Sequence, residues 1–361
     1  ESYEKMNLQN SDRYEFIYPY YSLSKSFDLD DSFFENYEIT SSGNQKKYST
    51  NIYEALQIND ILIQSNNFVI KESFNSNFRT LIKNVNTKGQ NSSIYKDETQ
   101  SEILSNFIYD ISLPMRKTEE KYTKFLTPKL SLRHSPNNTK NIQTKDRQLN
   151  IDNLFSLNRI GIDDDVEGGT SLTLGNEFSI KDFNDKEIFI IDMGTVFREE
   201  ENTNLPLNNT LRRSQSDVVG EIAYNPIENF SLSYNFSLKN DLDQMNLHLL
   251  KNEFRINNFV NTFEFFEENN QIGDESYYTN TMKYEADKNN FFSYRTRKNK
   301  KTNLTEFYDL IYEYKNDCLV ASIRYNKEYY SNSILEPTEN LFFNLTLIPL
   351  GTTNTDNLIK N

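Results

Sequence analysis

Apolar and polar residues alternate with a period of two along most of the chain, the spacing a β-strand imposes when its two faces meet different surroundings. The cleanest run covers residues 230–238. Phe230, Leu232, Tyr234, Phe236 and Leu238 fall on one face, and Ser231, Ser233, Asn235 and Ser237 on the other. Small uncharged polar residues suit a wetted lumen, whereas a water-soluble sandwich would carry more Lys and Glu there. Leu172, Leu174, Phe178 and Ile180 alternate in the same way with Ser171, Thr173, Glu177 and Ser179. Leu304, Tyr308, Leu310, Tyr312 and Tyr314 share one face, and Leu341, Phe343, Leu345 and Leu347 make another apolar row. No helical stripe at i, i+3, i+4 is sustained.

Two kinds of connection separate these runs. Asn257-Asn258, Asp287 to Asn290 and Lys315 to Asp317 are tight and rich in Asn and Asp, whereas 86–100, 135–152 and 199–216 are long and polar. Short turns at one end and long loops at the other are the habit of an outer-membrane barrel. The spacing predicts about 18 strands, each near the 9–11 residues that a tilted membrane-spanning strand needs. Pro114, Pro128, Pro226 and Pro337 are expected at strand ends or turns, and Pro19, inside the run from Tyr14 to Phe27, predicts a bulge. No internal repeat or low-complexity linker marks a domain boundary.

Composition sharpens this picture. Only 36% of residues are hydrophobic, yet the 361 residues include 23 Tyr and 26 Phe. Disordered chains are poor in aromatics, whereas a wall with apolar residues at every second position is both polar on average and aromatic. No run approaches the length of a membrane helix. The net charge of −14 gives no phosphate-binding footprint for nucleic acid. The chain opens at Glu1 without an apolar leader, which predicts a removed leader or a fragment. Cys318 is the single cysteine, either a structural thiol or half of a bond to another segment or partner.

Candidate chemistry is sparse. His134 and His248 are the only histidines, and GxSxG, HExxH, P-loop and GxGxxG are all missing, so no enzyme and no cofactor is expected. The run Asp163-Asp164-Asp165-Val166-Glu167 could hold Ca²⁺, but it lacks EF-hand spacing and reads as a solvated turn. Arg295, Arg297, Lys298, Lys300 and Lys301 form a basic run, either a solvated hairpin tip or a contact for lipid phosphates. The fold class expected is all-β, a large antiparallel transmembrane barrel.

Three stretches resemble the LPS-assembly protein (LptD) family. The first is Pro128-Lys-Leu-Ser-Leu-Arg133-His-Ser-Pro136-Asn137. The second runs Asn153-Leu-Phe-Ser-Leu-Asn158-Arg159-Ile-Gly161-Ile-Asp163, then Val166-Glu167-Gly168-Gly169-Thr170 and Leu172-Thr-Leu174-Gly175. The third is Tyr312 to Cys318 followed by Leu345-Thr-Leu347-Ile-Pro-Leu350-Gly351. The resemblance implies a translocon in the bacterial outer membrane. It would receive lipopolysaccharide from a periplasmic bridge through an N-terminal domain and release it into the outer leaflet between the first and last barrel strands. An LptE-like lipoprotein would plug the lumen. The resemblance further implies that Cys318 pairs with a cysteine of the N-terminal domain, that Leu341, Phe343, Leu345 and Leu347 lie on the gate's last strand (341–350), and that Asn158, Arg159, Gly161, Asp163, Glu167, Gly168 and Gly169 form a motif loop. Residues 1–351 would then be the C-terminal part of a barrel of about 26 strands, and 352–361 a polar tail. Another barrel (a porin or uptake receptor) and a secreted glycan-binding sandwich are the alternatives.

Overall fold

The computed structural model describes residues 2–4, 14–29, 33–48, 51–70, 73–269, 274–329, 338–347 and 351–354. Pro337, residues 348–350 and residues 355–361 lie outside them. The chain forms one antiparallel sheet that winds strand by strand and does not close on itself among the described residues. The first strands are β1 (Ser2–Glu4), β2 (Tyr14–Asp28), β3 (Phe34–Tyr48), β4 (Tyr53–Ser65), β5 (Phe68–Ile70), β6 (Phe74–Gln90) and β7 (Gln100–Ser112). Next come β8 (Met115–Thr118), β9 (Tyr122–Ser135), β10 (Gly169–Asp182), β11 (Glu187–Arg198), β12 (Val218–Ile227), β13 (Phe230–Leu238) and β14 (Met245–Ile256). The last are β15 (Phe259–Asn269), β16 (Asp274–Glu285), β17 (Asn290–Asn299), β18 (Thr305–Lys315), β19 (Leu319–Glu328), β20 (Thr338–Leu347) and β21 (Gly351–Asn354). Seventeen of them have nine residues or more, close to the expectation. Among the described residues no helix is long and apolar enough to cross a membrane, which says nothing about strands that cross.

One compact unit comprises Glu1–Arg116, Leu126–Glu177 and Met193–Asp217. Its strands are longer than expected: β6 has 17 residues and β2 and β3 have 15 each. Cross-strand partners share a face, so the registers assign both faces. Ile39 pairs with Ile61 and Ile61 with Ile82 on an uncovered face, where all three are exposed. On the opposite face Ile58 pairs with Val85, and Arg79 with Ile108. That face is covered by residues 136–168 and 199–217. Val166 packs against Val85 and Leu104, and Leu154, Ile160, Leu205 and Leu211 are buried. The long polar connections expected at 135–152 and 199–216 therefore help to build a core: they bury Ile142, Leu149, Leu205 and Leu211 and, with the motif segment that follows 152, carry the apolar side chains that the strands' covered face needs to exclude water. Pro19 produces the expected irregularity, a register shift between Ile17 and Tyr20. Pro128 falls inside β9 rather than at its end, one residue before its pairing with β7 begins at Lys129.

The second unit comprises Lys117–Phe125, Phe178–Asp192 and Val218–Asn361. Here the registers separate an aromatic face from a polar one. Tyr234 pairs with Leu250, Leu250 with Phe265 and Phe265 with Tyr278, and the last two rings stack at 5.2 Å. On the same face Tyr312 pairs with Ile323, and Ile323 with Phe343. The polar face is more charged than the Ser-rich run of β13 suggested. It carries Lys251 against Glu264, Arg295 against Asp309, and Asp309 against Asn326. Asp309 accepts both from Arg324, at 2.9 Å, and from Asn326 Nδ2, at 2.7 Å. The turns 228–229, 257–258, 286–289 and 316–318 all lie at one end of this unit, each joining one strand to the next. Asn257 reaches the left-handed region (φ 50°) that such a tight turn requires.

Candidate functional site

The most elaborate polar arrangement lies beneath the connection 136–168, on the covered face of the first unit. It starts where β9 ends. The Asn137 side chain extends the ladder past Ser135: its Oδ1 accepts from the Ser105 N–H at 2.8 Å and its Nδ2 donates to the Ile103 carbonyl at 3.0 Å. Thr139 then joins the two long connections. Its hydroxyl accepts from the Gly168 N–H and from Asn202 Nδ2, each at 2.8 Å, and its carbonyl accepts from Asn204 Nδ2.

Residues 153–158 dip towards the strands. Asn150 and Asn153 cap each other, each backbone N–H donating to the other's side chain at 3.0 Å. Leu154 enters a recess floored by Gly194, where an added Cβ would come within 2.5 Å of the leucine Cδ2. The carbonyls of Phe155, Ser156 and Leu157 would then be stranded away from water. Strand side chains satisfy them. Arg79 donates to Phe155 at 2.9 Å, Arg133 to Ser156 and, at 2.8 Å, to Leu157, and Asn106 to Leu157 at 3.0 Å. Arg79 also pairs with Asp110.

The centre of the arrangement is Glu167, 2% exposed. One carboxylate oxygen accepts from Arg159 Nε at 2.5 Å, and the other from Arg159 Nη2 at 2.6 Å and from Arg198. The remaining Arg159 donors reach Thr173 at 3.0 Å and Ser171 at 2.7 Å, both on β10. Burial alone would raise the Glu167 pKa, but Arg159, Arg133 and Arg198 overcome it and hold the carboxyl at about 2. Two residues away Asp165 accepts from the Lys140 N–H at 2.9 Å, and burial pushes its pKa up to about 6. The acidic run is therefore a solvated turn only in part: Asp163 is exposed, whereas Asp165 and Glu167 are buried. Arg159 from the loop and Arg198 from β11 supply the countercharge that lets Glu167 sit inside, and Lys140 serves Asp164 and Asp165. Among the described residues no cluster of His, Cys, Asp and Glu could hold a metal.

Gly168 and Gly161 are needed for their shape. A Cβ on Gly168 would lie 2.2 Å from the Asn137 carbonyl oxygen, and Gly161 has φ +63°. Asn158 closes the turn by donating to the Ile162 carbonyl at 3.0 Å, Asp163 begins the next turn, and Gly169 opens β10 at φ +87°. Sequence reasoning thus found the loop's own residues. It missed Arg79, Asp110, Thr139 and Arg198 as their partners; Arg133 was visible only as part of a motif. The arginine donors are engaged with protein acceptors, and the geometry is that of an anchor.

The other residues singled out from sequence belong to the second unit. Arg295 and Arg297 point to its polar face, where Arg297 pairs with Glu306 at 2.5 Å and Arg295 lies over the Phe307 ring. Lys298 is on the aromatic face, opposite Tyr278. Leu341, Phe343, Leu345 and Leu347 share the aromatic face of β20 and are 53%, 48%, 45% and 39% exposed, as lipid-facing residues would be. Beyond β20 the backbone of Gly351–Asn354 pairs back onto Leu347–Asn344. Cys318 is a free, exposed thiol in the turn between β18 and β19, at the end that holds the tight turns.

No curated protein matches the chain. Two solved structures resemble it weakly. The siderophore receptor PirA from Acinetobacter baumannii has 8% identity and a TM-score of 0.45 over 93% of this chain and 65% of that one. A mutant of the ferric enterobactin receptor PfeA from Pseudomonas aeruginosa has 8% identity and a TM-score of 0.47 over 96% and 64%. The chain thus spans less than two thirds of either. The family model described as LptD, LPS transport system D, matches residues 2–281. That span holds the buried anchor and its motif loop, while the third stretch of resemblance, 312–351, lies beyond it. With more than half of its length matched, this chain belongs to the LPS transport system D family, as an antiparallel β-barrel of the bacterial outer membrane.

Proposed function

We propose that the chain forms the wall through which lipopolysaccharide enters the outer leaflet, passing laterally between the barrel's first and last strands. The family match over residues 2–281 carries the reading. Two features support it. A sheet with one aromatic, exposed face and one polar, charged face can keep acyl chains in lipid while sugars travel along a wet wall. The anchored loops give a transporter of bulky cargo a fixed internal surface in place of loose ones. On this reading β20, with Leu341, Phe343, Leu345 and Leu347, is the last long strand at the gate, its edge covered by β21 only at Asn344 to Leu347, and an LptE-like lipoprotein occupies the polar side. A periplasmic bridge delivers cargo through an N-terminal domain, to which Cys318 is linked by a disulfide. Lys298, on the aromatic face and without a partner among the described residues, contacts phosphates of surrounding lipid, while Arg295 and Arg297, on the polar face, meet the phosphates of the cargo.

Depletion in cells tests the reading. Newly made lipopolysaccharide should stop reaching the cell surface, measured by its access to a modifying enzyme added from outside. Arrival at the undepleted rate would rule the reading out. Mass spectrometry of non-reduced full-length protein tests the disulfide, and a free Cys318 thiol would refute it.

A further inference from the structure

The uncovered face of the first unit is divided along its strands. One half is apolar: Tyr37 and Ile39 on β3, Ile61 and Ile63 on β4, Phe78 and Ile82 on β6. The other half, nearer the 91–99 connection, is rich in amides. Its first polar row satisfies itself. Ser41 donates to Asn59 at 2.7 Å, Asn59 to Asn84 at 3.4 Å, and Asn84 to Ser101 at 3.2 Å, while Asn86 donates back to Asn84 at 2.6 Å. Polar groups that bond one another can border hydrocarbon at little cost.

The groups just beyond are different. Tyr21, Gln45, Gln57 and Lys88 make no side-chain hydrogen bond or ion pair among the described residues. They surround a hollow of about 270 Å³, bordered also by Pro19 and Ala55. Its shape follows from small residues: the Tyr21 ring lies over Gly43, where a Cβ would come within 2.7 Å of it, and Ala55 pairs with Gln45 and Lys88. Two free amides, a phenol with an available ring and an unpaired ammonium are the groups that recognise a phosphorylated sugar.

We propose that this hollow seats the phosphorylated saccharide headgroup of a lipopolysaccharide in the outer leaflet, with its acyl chains running down the Ile39–Ile61–Ile82 rows. The proposal rests on the functional reading above. The juxtaposition carries it: an unsatisfied polar hollow lies directly beyond a self-satisfied polar row, which itself borders an apolar band.

The test is native mass spectrometry of the full-length protein purified in detergent, reading lipopolysaccharide that stays bound. Lys88→Glu, at an exposed position, and Ala55→Phe, which fills the hollow, should each lower occupancy at least fivefold, and Lys88→Arg should keep it. Heat-modifiable mobility checks that each variant folds. Unchanged occupancy in a folded Lys88→Glu protein would overturn the proposal. Displacement of the lipid by inorganic phosphate alone would also overturn it, since that reveals a simple anion site. If surface arrival depends on the protein while occupancy ignores Lys88, only the headgroup site fails. If occupancy follows Lys88 while arrival is independent of the protein, the site stands and the transport reading fails.

Discussion

Glu167 faces two guanidinium groups at a position with no access to water, so its removal leaves charges that nothing else neutralises. Breaking one partner of such a buried group costs about 3–5 kcal/mol. Glu167→Ala should therefore release the 136–168 connection, read as new protease cuts within it in otherwise folded protein. Acidity should act through the same residues, with opposite signs. The Glu167 carboxyl, lowered from 4.5 to about 2, contributes stability that is complete above pH 4.5 and lost as pH falls through 2. Asp165, raised from 3.8 to about 6, binds its proton more tightly when folded, so it adds stability as pH falls from 6 towards 3.8. Protease resistance of the loop should peak near pH 4–5, and Asp165→Asn should remove the rise between pH 7 and 5. At this scale the sequence showed half of the site. Asn158 to Gly169 could be found because they are contiguous. Arg79 and Arg198 could not, because their acceptors lie 76 and 31 residues away along the chain and no local pattern announces such a pairing.

Among the elements, period-two alternation located the strands well, and β13 begins and ends where the pattern of 230–238 does. It misplaced the function of the long connections. Residues 136–168 and 199–217 look polar on average, but Leu154, Ile160, Leu205 and Leu211 are spaced irregularly and become a core only against strands far away in sequence. The glycine recess shows how tightly that core is fitted. Leu154→Ala should cost about 2–5 kcal/mol, seen as a lower temperature for the loss of heat-modifiable mobility. Gly168→Ala, forced against the Asn137 carbonyl, should loosen the junction of both loops and expose them to protease together. If either variant leaves these readouts unchanged, the loops are not anchored as described.

For the molecule as a whole, sequence supplied the class of architecture and, through three short stretches, the family. The registers added the sorting of the second unit's faces, with aromatic residues on one side and charged pairs on the other. The sequence could show that sorting only where a strand is strictly alternating, because Phe266 and Tyr277 stack on the polar face at 4.9 Å and blur the pattern. Cys318 stands at the end where the second unit has its tight turns, the end expected to face the periplasm. It should therefore resist a thiol reagent that cannot cross the outer membrane. The central claim concerns lateral passage, and photo-crosslinking in living cells addresses it most directly. A crosslinker placed in turn at Leu341, Phe343 and Leu345 should capture lipopolysaccharide during ongoing synthesis, with capture falling when synthesis is blocked. Capture at none of these positions, by a protein that reaches the outer membrane folded, would contradict the account.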